Sequence, residues 1–177
     1  MSNPGSSVAA LKLAIIDGLR VAFGDTAAVA YATPIDSADL RAPNGELVAV
    51  FWTLDHPVDL TVEIFAGGHY NFDERYQLTL IVQVLEDVNH PEITSLTHDQ
   101  RQHATDARLD EALGTVLEWL AVQTNPPSTV GPNARVQVFW TVAAGGQRTA
   151  FFDAETTAFG SRQELAIAVH ARKVPSP

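Results

Sequence analysis

The sequence predicts an α+β fold: a largely antiparallel sheet of strands of mixed length, with two main helices packed on one face. Three observations predict it. Apolar residues recur at spacings of three and four in two stretches, near the start and in the middle of the chain. Apolar and polar residues alternate with a period of two in two separate blocks. The order is helix, strands, helix, strands, rather than the strict strand–helix alternation of a parallel sheet.

The first helix follows a Ser/Gly/Pro-rich start, in which Ser6 or Ser7 is placed to cap it. Val8, Leu11, Ile15, Leu19 and Ala22 form its apolar stripe, and Gly24 stands at the expected stop. Residues 28–32 read as a short strand ending before Pro34, and Asn44-Gly45 is a turn signal. Residues 47–54 and 60–65 follow as strands, with a polar loop opened by Gly67-Gly68. Residues 76–84 form the clearest strand, with Tyr76, Leu78, Leu80, Val82 and Val84 on one face.

An irregular acidic segment, residues 86–96, leads to the second helix. Thr97 and Gln100 form a capping-box pattern, so the helix begins there or later, near Asp106. Its stripe is Leu109, Leu113, Val116, Leu117 and Leu120, and Asn125-Pro126-Pro127 ends it. Three β-like runs close the chain: residues 136–142, 150–159 and 163–171. Gly145-Gly146 is read as the turn between the first two, and Phe159-Gly160-Ser161 as the turn between the last two. The tetrapeptide Val50-Phe51-Trp52-Thr53 recurs as Val138-Phe139-Trp140-Thr141, but the flanks share no period, so composition accounts for it. Residues 1–177 are expected to form one domain, with residues 1–7 and 174–177 as flexible ends.

Composition narrows the function classes. The net charge is -10, from 11 Lys plus Arg against 21 Asp plus Glu. Wrapping nucleic acid requires clustered cations, and this chain has few. It suits a surface that nucleic acid passes without sticking. Charged residues make up only 18% of the chain, which fits a subunit that hides part of its surface. There is no cysteine, so disulfides, thiolate zinc sites and a Cys nucleophile are excluded. No apolar run approaches the length of a membrane span, and the expected setting is a cytoplasm.

The motifs of common enzymes are missing. No P-loop, GxGxxG or GxSxG occurs. The histidines, His56, His69, His90, His98, His103 and His170, form no HExxH pair. Asp73-Glu74, Glu86-Asp87 and Asp110-Glu111 are adjacent pairs whose side chains diverge, so none is a catalytic dyad by itself. No catalytic, cofactor-binding or metal residue is assigned. Trp52, Trp119 and Trp140 are read as core residues.

The chain resembles a tail terminator protein of long-tailed bacteriophages, or a related head–tail connector or neck protein. The resemblance rests on the first helix around Leu11-Lys12-Leu13-Ala14-Ile15-Ile16 and the strand Arg75-Tyr76-Gln77-Leu78-Thr79-Leu80-Ile81-Val82. The helix over residues 106–122 and the closing run Gln163-Glu164-Leu165-Ala166-Ile167-Ala168-Val169 complete it. It implies a virion protein that forms a ring, a hexamer, on the finished tail tube. Such a ring stops tube growth, docks to the head connector and lets DNA through its lumen. It implies no cofactor and no catalytic residue. The competing reading is a small ligand-binding or enzymatic domain using His69, His98 or His103. Two glycine-bearing connections, residues 66–74 and 143–149, are the expected contact loops, with Tyr70, Phe72 and Arg75 as interface residues because Tyr and Arg are favoured at binding hot spots.

Overall fold

Two long antiparallel strands form the spine of the sheet, and every other element is arranged around them. The computed structural model describes residues 8–32, 45–53, 61–62, 73–123, 128–130, 136–143, 146–154 and 157–173. In chain order these hold α1 (Val8–Phe23), β1 (Ala28–Ala32), β2 (Glu46–Trp52), β3 (Thr61–Val62) and β4 (Asp73–Glu86). Then come α2 (Pro91–Thr94), α3 (His98–Gln123), β5 (Ser128–Val130), β6 (Val136–Ala143), β7 (Arg148–Asp153) and β8 (Ala158–Lys173). Strands β4 and β8 pair from Asp73↔Arg172 to Leu85↔Gly160. Their outer edges are each filled by two shorter strands, β2 and β3 on β4, β6 and β7 on β8. The main order is β1-β2-β4-β8-β6-β5, antiparallel except for β1 against β2. The fold is α+β, as the element order predicts.

The period of two sets the faces. Leu78, Leu80, Val82 and Val84 of β4 stand beside Ile167, Leu165, Gln163 and Ser161 of β8, under the helices. Val48, Val50 and Trp52 continue this layer on β2. α1 covers it with Leu11, Ile15, Ile16, Leu19 and Phe23, and α3 with Leu109, Ala112, Val116 and Leu120, so the two main helices lie on one face. Burying a Leu or Ile side chain is worth about 1.5–3 kcal/mol, so this layer dominates stability. The helices approach each other at Gly18, where a Cβ would lie 2.0 Å from a Trp119 ring carbon. The indole of Trp52 donates to the Lys12 carbonyl at 3.2 Å, fixing α1 over the sheet.

Helix boundaries follow their signals. The Gly24 amide donates to the Arg20 carbonyl at 2.9 Å, and Gly24 takes the left-handed conformation at φ 54°. Thr97 and Gln100 close the reciprocal capping box: the Thr97 amide donates to Gln100 Oε1 at 2.9 Å, and the Gln100 amide to Thr97 Oγ1 at 3.4 Å. The box selects the longer of the two expected helices, from His98 rather than Asp106. The residues proposed as caps at 6 and 7 lie outside the described residues.

Four sequence readings are corrected. Ala22 and Leu117 are exposed, while Phe23 joins the buried stripe of α1 and Ala112 that of α3. The short helix α2 occupies part of the segment read as irregular, starting with Pro91 at a position that needs no amide donor. β6 and β7, on either side of Gly145-Gly146, do not pair as a hairpin: they run in line along β8, Ala143 opposite Ala166 and Arg148 opposite Gln163. Gly146 lies so close to β8 that a Cβ would sit 1.2 Å from the Glu164 carbonyl oxygen. Phe159-Gly160-Ser161 belongs to β8, and the chain reverses just before it, where Thr157 takes φ 57°.

Candidate interaction surface

The sheet face away from the helices is mostly polar. It receives the odd-numbered positions of β4 and the even-numbered positions of β8. Arg75, Gln77 and Ala168 are exposed there, and Thr79, Gln83, Arg162, Glu164, Ala166 and His170 are half-buried. A small apolar island of Ala49, Phe51 and Ile81 interrupts it. Phe139 of β6 stands 6.2 Å from the His170 ring, ring centre to ring centre.

The second feature is an open edge. Among the described residues, β7 pairs with β8 and with nothing on its other side. The Glu164 amide donates to the Gln147 carbonyl at 3.1 Å, which makes Gln147 and Glu164 a hydrogen-bonded pair. Antiparallel ladders alternate. Thr149, Phe151 and Asp153 therefore bond β8, and the backbone groups of Arg148, Ala150 and Phe152 point outward. The edge is apolar at its end, where Phe152 is 51% exposed. Exposed edges of this kind are templates for another strand. At the far side of the sheet, the Val29 carbonyl on the edge strand β1 is taken by Arg20 Nε at 3.0 Å.

The polar clusters under the sheet hold elements together. The Glu86 carboxylate is fully buried; Arg101 reaches it with Nε at 2.8 Å and an Nη at 2.6 Å, and the Phe159 amide donates to it at 2.6 Å. The same guanidinium donates to the Thr157 carbonyl at 3.0 Å and lies 5.1 Å from the Phe159 ring. Hydrogen bonding to Glu86 raises the Arg101 pKa further above its ordinary value, so the cation is permanent. Beside it, Asp106 accepts from Ser161 and from Gln102, and Arg148 bridges to Asp110 at 2.7 Å. Ser161 is 1% exposed and already engaged by Asp106 and Gln102, so no substrate reaches it as a nucleophile.

Of the expected interface residues, Tyr70 and Phe72 lie outside the described residues, as do positions 66–72 of the first contact loop. Arg75 lies in β4, opposite Thr61 and His170, with its side chain exposed. His69 lies outside the described residues, His98 packs at 5.5 Å against Phe159, and His103 is exposed on α3. Among the described residues, no group of three His, Asp or Glu could hold a metal ion. No helix of the described residues is long and apolar enough to cross a membrane.

The sequence does not show the open β7 edge, because residues 150–159 read as one run there and residues 148 and 149 as part of the connection before it. The missed signal was Asp153, a strand-ending residue five positions before Ala158.

No protein-family model matches the chain, and no curated protein does. Among solved structures it is similar to a chain described as the virion of a native gene transfer agent particle, at 11% identity and a TM-score of 0.39. The match covers 95% of this chain and 98% of that one. At that score the likeness decides neither fold nor function.

Proposed function

We propose that this chain is a structural virion protein, a tail terminator whose copies form a ring on the end of the tail tube. The ring, a hexamer, stops tube polymerisation and docks to the head–tail connector, and genomic DNA passes through its lumen. The observation that carries this reading is the β7 edge, which has no strand partner among the described residues and whose backbone groups at Arg148, Ala150 and Phe152 point outward. A heterologous contact from this edge to a different surface of the next copy repeats until it closes, which makes a ring. The sequence resemblance supports the station on the tail. A net charge of -10 supports a lumen that does not hold DNA. The protein acts without a cofactor and is not an enzyme in this reading: its buried polar groups are spent on tying α3 to the sheet.

The test is negative-stain imaging of the purified protein, alone and mixed with tail tubes. Rings with a central pore that seat on tube ends support the proposal. Rings that ignore tubes but bind the connector move it to another neck station. A monomer in both samples overturns it.

A further inference from the structure

The two ends of the sheet are defended differently. β7 keeps a regular register over Arg148–Asp153, and its cation is turned away from the edge, because Arg148 binds Asp110 on α3 at 2.7 Å. β1 lies at the opposite end and, among the described residues, pairs with β2 alone. Its register shifts between Ala30 and Ala32, which interrupts its outward row of backbone groups. The amide and carbonyl of one strand residue face the same side, so Val29, whose carbonyl is taken from outside, turns its amide outward too. Arg20 of α1 occupies that position. Its Nε donates to the Val29 carbonyl at 3.0 Å, and one Nη donates to Asp17 at 2.8 Å, so the guanidinium is braced from the helix against the edge. A second cation, Lys12 Nζ, stands 5.8 Å from the centre of the Tyr31 ring on the same strand. An incoming strand meets an occupied acceptor with positive charge beside it. Short edge strands, irregular register and edge cations are the devices by which sheets refuse a further strand.

We propose that Arg20 guards the β1 edge against strand addition by the β7 edge of a second copy. β7 is selected as the incoming edge because it has no strand partner on its outer side among the described residues and carries no such guard. Joining β7 of one copy to β1 of the next is a head-to-tail contact, and in-line repetition of it extends a sheet from copy to copy without closing. The guard removes β1 as a landing place and leaves the β7 edge to a different surface. The inference rests on the two edges and not on the ring.

The test is sedimentation velocity over a range of concentrations for wild type, Arg20→Ala, Ala150→Pro and the double variant, with hydrogen exchange of the Val29 amide. Arg20 and Asp17 form an exposed pair that contributes little to stability, so Arg20→Ala should match wild type in circular dichroism. It frees one ladder acceptor and removes the cation, which should strengthen association by roughly tenfold at each contact. The expected result is species that grow with concentration beyond any that wild type forms, with the Val29 amide protected in them and exchanging freely in wild type. The double variant should assemble no further than Ala150→Pro alone, because its β7 edge has lost an outward amide. An Arg20→Ala protein no larger than wild type, a double variant that grows as Arg20→Ala does, or assemblies in which the Val29 amide still exchanges freely would overturn the proposal. A monomeric wild type sinks the ring but leaves this comparison readable.

Discussion

Replacing Arg101 by Met should cost about 3–5 kcal/mol, the range for removing one partner of a buried ion pair. Glu86 has no exposed side-chain surface, whereas the Arg101 side chain is 15% exposed. The variant takes two hydrogen bonds from the carboxylate and leaves only the Phe159 amide. It also frees the Thr157 carbonyl. Three elements loosen together: the end of β4, the first turn of α3 and the β7–β8 reversal. For a chain of this size 1 kcal/mol moves the melting temperature by roughly 2–4 °C, so a drop of about 6–20 °C is expected. Urea unfolding followed by circular dichroism measures the free energy. The double variant Glu86→Gln with Arg101→Met removes the stranded charge and should recover at least half of the loss. An Arg101→Met protein within about 0.5 kcal/mol of wild type would show that Glu86 is not a buried anion held by this cation, a change no larger than an ordinary surface substitution.

Gly18→Ala drives a methyl into Trp119. The overpacking cost of about 1–3 kcal/mol should outweigh the roughly 1 kcal/mol of helix propensity gained, with a shift in tryptophan emission; a more stable variant with unchanged emission contradicts the helix contact. Burial raises the Glu46 carboxyl pKa above its ordinary 4.5, against the opposing pull of Arg108 and His90. A raised acid contributes most below its unfolded pKa and loses that contribution as pH rises through the folded value. Glu46→Gln should therefore melt higher than wild type at pH 7, with the gap closing below pH 4.5; a gap independent of pH is the contrary result. Thr157 sits at φ 57°, where a β-branched side chain is strained. Thr157→Asn should stabilise by up to about 1 kcal/mol in the same unfolding assay, and a loss of stability would contradict the strain.

The layer under the helices was legible because one physical period governs each element there. Leu78, Leu80, Val82 and Val84 alternate without interruption, and Leu11, Ile15 and Leu19 repeat at helical spacing. The capping box at Thr97 and Gln100 was legible as well, because it is local. The path after α3 was not. Whether the strands flanking Gly145-Gly146 pair with each other or run in line depends on what lies alongside, and only β8, about twenty residues later, decides that. Leu117 is exposed because the buried face of α3 runs through Leu109, Ala112, Val116 and Leu120, and the small Ala112 is a weak apolar signal in the sequence.

The ring through the β7 edge is tested most directly by sedimentation velocity of wild type and Ala150→Pro side by side. Proline at Ala150 removes an outward amide and spares the bonds to β8, and edge strands tolerate it. Far-UV circular dichroism should show the same fold in both. The account predicts a closed oligomer for wild type and a monomer for the variant. A wild type that stays monomeric at high concentration even with tail tubes present, or a variant that assembles as wild type does, would contradict it.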